Sequence, residues 1–486
     1  MIHTVPMMVV LPLAGAFFIP MISRRVVWAP DAVGNAVMAV LAVLSFGLIG
    51  REGVYHVGGW PTPLGIDLRL DGLTVILLLA VNGIGLCASL FSVSYMELYT
   101  SKFRYYSLFL FMVAGMNGVI VTGDLFNLYV FMEIAAIASY ALVAFGCEHE
   151  ELEASFKYAV LGGVSSALIL IGIAVVYMVT GSLNMVQVAG RIQTTGLTPP
   201  ILLALCLFVA GFGLKAALVP FHAWLPDAHP SAPAPVSAML SGVLIKAIGV
   251  YVMARLFFNV FGATPDILIV LRLLGVLSMV IGVLLAVGQW DMKRLFAYHS
   301  ISQIGYVMLG LGLGTPWGLA GGLFHLLNHS VFKSLLFLNA GSVEYSTGRR
   351  NLKRLGGLAR IMPLTGGTTL VASMSIGGVP PFNGFWSKLI IIFACIRAGF
   401  YGLAGWAVFV SVITLASFLK VLRYGFYETP AEKFRVERST APLMAVALLL
   451  LAIGCLAMSL FVVTGLESPV LVDRAVHALS AGVFGM

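Results

Sequence analysis

The sequence predicts an all-α polytopic membrane protein with about fourteen transmembrane helices, and three observations support this fold class. Hydrophobic residues make up 60% of the 486 residues, charged residues 10%, and the mean hydropathy is +1.01. Apolar runs of about 17–25 residues, the length that crosses a bilayer, follow one another along the chain. Lysine and arginine are concentrated in alternate connections between these runs.

The predicted spans follow the apolar runs in chain order. They cover residues 4–22, 33–50, 72–96, 105–121, 124–146, 156–180, 200–219 with a broken continuation to 230, 236–258, 267–288, 298–313, 316–342, 363–396 with a break at Pro380-Pro381, 402–424 and 441–464. The first run has no charged segment before it and no small-residue cleavage site. It is therefore expected to be a span and not a removed signal peptide.

Basic residues in the connections predict the orientation. Connections after odd-numbered spans carry Arg24, Arg25, Lys102, Arg104, Lys157, Lys293, Arg294, Arg349, Arg350, Lys353, Arg354, Arg360, Arg423, Lys433, Arg435 and Arg438. Connections after even-numbered spans carry Arg51, Arg69, Arg191 and Arg397. We expect the odd connections to be cytoplasmic and both termini to lie outside. The net charge of +8 is explained by basic residues that set the orientation and contact anionic lipid, so no nucleic-acid partner is expected.

Residues 212–249 form the stretch around which the chain is organised. One apolar helix carries Lys215, a proline-rich break follows at 219–230, and a second apolar helix carries Lys246. A lysine inside hydrocarbon costs a few kcal/mol unless it faces protein or water. A buried cation beside a broken helix is typical of an ion or proton path. The alternative is that both lysines extend to an interface and the prolines form an ordinary loop.

A second, similar break predicts an internal repeat. Lys215 and Lys388 lie close to the two breaks, which are five spans apart. The matching segments are Val219-Pro220-Phe221-His222-Ala223-Trp224 and Pro380-Pro381-Phe382-Asn383-Gly384-Phe385-Trp386. An odd number of spans places two such units in opposite orientations, which is the inverted-repeat plan of many transporters.

Few ionisable residues lie inside the predicted spans, and we call the following seven the central row: Glu133, Lys215, Lys246, His325, His329, Lys333 and Lys388. Pairing of Glu133 with Lys215 would offset the cost of burying both charges, and separating them would promote release of the lysine's proton. The alternative is a static ion pair that fixes helix packing. Lys388 either ends the central row or lies near the membrane surface, where it would only help to set the orientation of the chain in the membrane.

His325, His329 and Lys333 are spaced i, i+4, i+8 and so share one helical face. Small polar residues are nearby in the sequence, at Ser300, Ser302, Gln303 and Asn328. This set suits a hydrated proton relay, because histidine titrates near working pH. The alternative is a hydrogen-bonded packing seam between helices. Zinc is not expected, since no third ligand accompanies the histidines and the lysine repels a cation.

No metal site and no cofactor are predicted. The cysteines stand singly and form no metal or disulfide spacing, at Cys87, Cys147, Cys206, Cys395 and Cys455. The glycine-rich stretch at 310–314 precedes a turn and not a strand–helix junction, so a nucleotide site is not expected.

Several of these segments together resemble the antiporter-like proton-channel family. They are residues 124–133, 232–238, 297–306 and 325–333, and the run Phe221-His222-Ala223-Trp224-Leu225-Pro226-Asp227-Ala228-His229. The family comprises large membrane subunits of complex I, of Mrp-type multisubunit Na+/H+ antiporters and of membrane-bound hydrogenases. At position 388 this chain has lysine, which resembles the D-type antiporter subunits and the N type of complex I. The M type of complex I has glutamate at the matching position. His299-Ser300 departs from the Tyr-Ser-Ser of many relatives.

The resemblance implies two inverted five-helix repeats, with broken helices 7 and 12. It divides the chain into helices 1–3 (residues 1–104), a first half-channel (105–258), a second half-channel (259–424), and helix 14 with a tail (425–486). Glu133 and Lys215 match the first half-channel, Lys246 the connection, residues 325–333 the central relay and Lys388 the exit. Supporting polar or hinge positions are Asp124, Pro220, His222, Asp227, His229, Ser300, Ser302, Gln303, Asn328, Pro380 and Pro381.

Three functions remain open from the sequence. The first is a D-type subunit of a monovalent cation (Na+)/proton antiporter in a prokaryotic cytoplasmic membrane. The second is a proton-pumping subunit of a complex I-like NADH:quinone oxidoreductase or of an energy-converting hydrogenase, with the redox centres elsewhere. The third is a non-conducting scaffold, which has no reason to bear the cost of buried lysines. The expected partners are other membrane subunits, lipid, protons and, in the assembly, Na+.

Overall fold

The computed structural model describes residues 2–23, 25–429, 438–463 and 470–482. Four positions used in the sequence analysis lie outside these described residues: Arg24, Lys433, Arg435 and residue 464 of the last predicted span.

Helices form most of the fold. They are α1 (Met7–Ser23), α2 (Ala29–Gly47), α3 (Gly72–Tyr95), α4 (Lys102–Val121), α5 (Leu125–Val143), α6 (His149–Thr180), α7 (Met185–Thr195), α8 (Pro199–Lys215), α9 (Leu225–Ser231), α10 (Ala234–Val260), α11 (Pro265–Val287), α12 (Met292–Gly312), α13 (Pro316–Thr347), α14 (Leu358–Ile361), α15 (Pro363–Gly377), α16 (Asn383–Arg397), α17 (Tyr401–Val421), α18 (Pro442–Val463) and α19 (Val470–Ser480). Short 3₁₀ turns add Ile2–Thr4, Val57–Gly59, Met96–Leu98 and Leu352–Arg354.

Each predicted apolar run overlaps at least one of these helices. Nine helices of the described part of the chain are long and apolar enough, by length and composition, to cross a membrane. Both predicted breaks are present. α8 ends at Lys215 and α9 begins at Leu225, while α15 ends at Gly377 and α16 begins at Asn383.

The all-α prediction is wrong at one place, because residues 53–70 form a small antiparallel hairpin. Strand β1 (Gly53–His56) pairs with β2 (Asp67–Leu70), and the register aligns His56 with Asp67. Gly123 donates its backbone N–H to the carbonyl of Asp67, so the hairpin packs at the start of α5. Such a short strand pair, half exposed, leaves little hydrophobic alternation for sequence analysis to detect.

Several predicted boundaries are also displaced. α6 begins at His149, so Lys157 lies in a helix and not in a connection. The domain boundaries at 104/105, 258/259 and 424/425 fall within α4, within α10 and within the π-helical continuation of α17 at Leu422–Tyr427. The tail contains a further amphipathic helix, α19. These displacements arise because charged first turns and π-helical ends extend helices beyond their apolar runs.

Polar caps define where the helices begin. Asp71, Asp124, Asn184, Asp291 and Thr315 each accept a hydrogen bond from a backbone N–H in the first turn of the following helix. Such caps satisfy donors that have no partner within the helix.

Three of these caps also take part in isolated backbone bridges, which join Asp124 with Asn184 and Asp291 with Asn351. Both bridges join residues 60 positions apart, and the second lies 167 positions after the first (Asp124 to Asp291, Asn184 to Asn351). α6 and α13, which lie between the bridged positions, have 32 residues each. Both end in a glycine with left-handed backbone, Gly181 at φ 59° and Gly348 at φ 64°.

α13 lies at the centre of the fold. It packs against α3, α10, α12, α15, α16, α18 and α19. α10 is buried throughout its candidate span and contains π-helical turns at Leu240–Leu244, Lys246–Tyr251 and Arg255–Val260. Lys246 and residues 325–333 of the central row therefore lie on these two enclosed helices, Lys215 and Lys388 lie at the two breaks, and Glu133 lies on the less buried α5.

Candidate functional site: the buried lysine and histidine row

Glu133 and Lys215 are brought together across α5 and α8. The Lys215 ammonium lies 3.5 Å from Glu133 Oε1, and the two side chains are 2% and 24% exposed. Ser166 of α6 bridges them, since its hydroxyl donates a short hydrogen bond to Glu133 and accepts one from Lys215 at 3.1 Å. Tyr140 OH also accepts from Lys215 at 3.4 Å. This cluster can pass a proton between a carboxylate, a hydroxyl and an amine without exposing any of them fully.

The first break places Lys215 at a helix end. α8 stops there because Ala217 adopts positive φ, and the chain then turns at Pro220. The indole N–H of Trp224 donates to the carbonyl of Leu214 at 2.9 Å, and the Val219 N–H donates to Ser278 Oγ at 2.9 Å. The backbone groups released by the break thus find partners inside the protein, which is the condition for a break at membrane depth.

Lys246 lies within the π-helical part of α10. Its ammonium donates to the carbonyls of Ser241 and Gly242, at 2.6 Å each. Ser241 also exchanges a hydrogen bond with Ser300 of α12 at 2.6 Å. The π turns were not predicted from the sequence. The pattern of hydrophobic residues does not show whether a backbone hydrogen bond spans four residues or five.

His325, His329 and Lys333 share one face of α13, as their spacing predicts, and all three are fully buried. The two imidazole rings are parallel within 6°, with centroids 6.3 Å apart. His325 Nδ1 pairs with Ser387 Oγ at 2.9 Å, whereas neither nitrogen of His329 has a hydrogen-bond partner in the described part of the protein. The Lys333 ammonium makes a short hydrogen bond to the Phe296 carbonyl.

Lys388 lies just after the second break, and the structure excludes the surface position. It is 2% exposed. Its ammonium donates to the Ile376 carbonyl at 2.7 Å and to Ser411 Oγ at 3.2 Å, and lies 5.2 Å from the centroid of the Tyr306 ring. The break after Gly377, with Pro380 and Pro381, releases that carbonyl from the helix, and the lysine takes the place of the missing N–H.

The smaller polar residues do not form one continuous line. Ser302 donates to the Met279 carbonyl at 2.9 Å, and so it joins α12 to α11. Asn328 pairs with Asn383 at the start of α16. The Gln303 amide is buried, and neither of its polar atoms has a hydrogen-bond partner among the described residues.

The remaining predicted positions lie toward the helix ends. Asp124 is the N-cap of α5 and accepts from Asn127 N at 2.8 Å. Asp227 forms ion pairs with Lys157 at 3.2 Å and Arg294 at 2.9 Å. His222 is half-buried, and His229 is fully buried with its ring 4.7 Å from that of Phe337.

The sequence analysis missed two groups of residues. Ser166 was not selected, although paired serines in the middle of the apolar α6 are a detectable signal. Lys293 was counted as a basic residue of a connection, but it is 2% exposed and pairs with Glu344 at 2.6 Å. The described residues contain no group of three or more histidine, cysteine, aspartate or glutamate side chains arranged to hold a metal ion.

Comparison with known proteins defines the class to which this fold and row belong. The family model described as NADH:quinone oxidoreductase/Mrp antiporter, TM matches residues 122–414, and one described as NADH-Ubiquinone oxidoreductase (complex I), chain 5 N-terminus matches 60–106. The chain belongs to this family of multi-pass membrane proteins.

Relatives within the family include subunits of an NADH-quinone oxidoreductase and of a Na(+)/H(+) antiporter. The chain is 36% identical to the N-type NADH-quinone oxidoreductase subunit of Desulforudis audaxviator, over 94% of this chain and 96% of that protein. It is 34% identical to the D-type Na(+)/H(+) antiporter subunit of Alkalihalophilus pseudofirmus, over 84% of each. Among solved structures, a chain of the Mrp complex from Dietzia superposes with a TM-score of 0.92 at 30% identity, covering 99% of this chain and 97% of that one.

Proposed function

We propose that this chain is the proton-translocating, D-type subunit of a multisubunit Mrp-type Na+/proton antiporter, and that protons move along the central row. The observation that carries this proposal is the Glu133–Ser166–Lys215 cluster. A lysine held by a partly exposed carboxylate through a rotatable hydroxyl can gain and release a proton as the carboxylate approaches or withdraws. The other five members of the row then extend this path through α10, α13 and α16.

Fourteen spans in two inverted five-helix repeats, with both termini outside, complete the proposal. The two backbone bridges 167 positions apart, the equal lengths of α6 and α13 and the two broken helices support the repeat. The bias of basic residues supports the orientation, in a prokaryotic cytoplasmic membrane. The partners are the other membrane subunits of the complex and lipid.

Proton transport is tested in the assembled complex reconstituted into vesicles, with a pH-sensitive dye inside. Glu133→Gln keeps the size of the side chain and removes the charge that balances Lys215. We expect this variant to slow Na+-driven proton movement by about a hundredfold, the usual scale for loss of a proton-transfer group. Glu148→Gln, at the N-cap of α6, is the matched control. Normal transport in Glu133→Gln would support the scaffold instead.

The second candidate is a proton-pumping subunit of a redox complex, which the similarity to an N-type NADH-quinone oxidoreductase subunit along nearly the whole chain favours. Purification in mild detergent, followed by mass spectrometry of the partners, separates the two. Small hydrophobic subunits with a larger antiporter-like relative would establish the antiporter. Co-purification of an iron–sulfur or nickel protein would assign the same proton path to a redox enzyme.

A further inference from the structure

Lys293 and Glu344 form a buried ion pair outside the central row. Lys293, in the first turn of α12, has its ammonium 2.6 Å from Glu344 Oε2 near the end of α13. The same ammonium donates to the Ala232 carbonyl at 3.2 Å, and Tyr95 OH donates to the same Glu344 oxygen at 3.3 Å. Lys293 is almost fully buried, whereas the Glu344 side chain is 25% exposed. The pair therefore has one accessible member and one enclosed member.

A charged cavity of about 420 Å³ lies near the pair, and Arg350, which lines it, also contacts Glu344. Its lining includes Glu150, Lys157, Asp227, Asp291, Arg294 and Arg350. Apart from Lys157, which lies farther along α6, these residues come from connections and from the starts of helices, on the face that the basic-residue bias assigns to the cytoplasm.

Arg350 joins the cavity to the pair. Its guanidinium lies 2.7 Å from Asp291, which lines the cavity, and 3.8 Å from the second oxygen of Glu344. It also donates to the Pro230 carbonyl at 2.9 Å. Glu344 can thus exchange protons with water of the cavity beside a permanently charged arginine.

His229 lies three residues before Ala232, whose carbonyl accepts the hydrogen bond from the enclosed Lys293. The His229 ring is fully buried, and neither of its nitrogens has a hydrogen-bond partner in the described ranges. Lys293, Lys246 and Lys333 are all near enough for their charges to act on it. Its ring packs on Phe337, and the Lys333 ammonium lies 5.7 Å from the centroid of the same Phe337 ring. An unpartnered imidazole in the segment that Lys293 contacts, packed on the same Phe337 ring as Lys333, is placed to bind water and pass protons.

We propose that Glu344 and Lys293 form a proton inlet that connects the charged cavity, through His229, to Lys246 and Lys333. Water of the cavity protonates the Glu344 carboxylate. The Lys293 ammonium gives its proton inward, through water, to neutral His229, which becomes an imidazolium. The neutral amine then takes the proton from the Glu344 carboxylic acid, and this restores the ion pair. The inlet rests on the proposed proton transport along the central row.

Lys293→Arg is the decisive variant, measured as proton movement into vesicles that contain the assembled complex. Arginine keeps the charge and the ion pair with Glu344, but it does not release its proton in proteins. We expect transport to fall by about tenfold or more. The matched control is Lys102→Arg, because Lys102 likewise contacts one carboxylate, Asp31 at 3.0 Å, and one backbone carbonyl, Val93 at 2.6 Å. Unchanged transport in Lys293→Arg would overturn the inlet.

A paired variant covers the case in which the larger arginine disturbs packing. Glu344→Gln with Lys293→Gln removes both charges, so that no unpaired charge is buried. If the pair is a proton inlet, transport by this double variant should remain about tenfold slower than in the unsubstituted complex. If the pair only stabilises packing, transport should be unchanged. Lys215→Gln is measured in parallel. If it stops transport while both inlet variants are normal, the inlet alone is wrong, and if it has no effect, the proposed function is wrong.

Discussion

The two broken helices hold their lysines in different ways. At the first break, Lys215 is balanced by the carboxylate of Glu133 and bridged to it by Ser166. At the second, Lys388 contacts a carbonyl, a hydroxyl and an aromatic face, and no carboxylate of the described residues pairs with it. Motion of one acidic side chain can therefore control the charge at the first break, whereas burial and hydration control it at the second.

The difference indicates how the two regions divide one task. An ion pair stores a proton until its partner withdraws, and a lysine among neutral groups keeps its proton only while water or a carbonyl solvates it. The first break is thus suited to controlled uptake, and the second to release. Four sets of variants test this comparison.

The largest effect is expected from Lys215→Met. This change removes the proton carrier and leaves Glu133 without its cation, and we expect transport by the reconstituted complex to fall by about a hundredfold or more, on the scale of a lost acid–base group. Lys102→Met, which removes a lysine outside the row, is the control. A variant of Lys215 that transports normally would remove the functional distinction between the breaks.

Ser411→Asp would make the second break resemble the first. The new carboxylate is expected to lie close to the Lys388 ammonium, which is now 3.2 Å from Ser411 Oγ. A paired lysine releases its proton less readily, so transport is expected to slow by about tenfold. Ser411→Asn is the matched control, because asparagine has nearly the same size as aspartate but carries no charge. Equal slowing in both variants would attribute the effect to volume.

Ser166→Ala removes the bridge but leaves both charges in place. A hydrogen bond to a charged group contributes about 1.5 kcal/mol, which corresponds to a rate effect on the order of tenfold at most, and we expect transport to fall by about fivefold. Ser165→Ala is the matched control, because its neighbouring hydroxyl donates to the Gly211 carbonyl, away from the pair. The initial transport rate of Ser166→Ala should be lower than that of Ser165→Ala. Equal rates would mean that Ser166 contributes only to helix packing.

The smallest effects are expected in stability. Glu133→Ala leaves a buried lysine without a counter-charge and should destabilise the complex by about 2 kcal/mol, reduced from the full cost because Glu133 is partly exposed. Lys388→Met removes a buried charge but leaves the Ile376 carbonyl without its donor, so the two effects offset each other and stability should change by less than about 1 kcal/mol. Thermal unfolding in detergent measures both. A loss of stability in Glu133→Ala that clearly exceeds any change in Lys388→Met is the expected result, and equal losses in the two variants would contradict the comparison.

The sequence was a good guide where a signal is local. The prolines at 220, 380 and 381 predicted both breaks, and the i, i+4, i+8 spacing predicted the shared face of His325, His329 and Lys333. Pairing of Glu133 with Lys215 was also predicted, because a carboxylate inside an apolar run needs a cation.

Tertiary partners were harder to predict. Ser166 is one of many serines in apolar helices, and only its position opposite Lys215 distinguishes it. Lys293 sits in a basic segment, and its burial depends on the distant Glu344. The π turns around Lys246 depend on how α10 is enclosed by its neighbours. Each of these features is set by contacts that no local pattern records.

The two backbone bridges have a consequence for the history of the gene. The spacing is equal within each bridged pair and the offset between the pairs is constant, and the proposed repeat would explain both by duplication of a single ancestral segment. From the second residue of each bridge to the proline of each break the lengths differ, 36 positions in the first unit (Asn184 to Pro220) and 30 in the second (Asn351 to Pro381). Under the proposed repeat, the connection that holds α7 is the part that differs in length between the two units, whereas the spacing between the helix caps is the same.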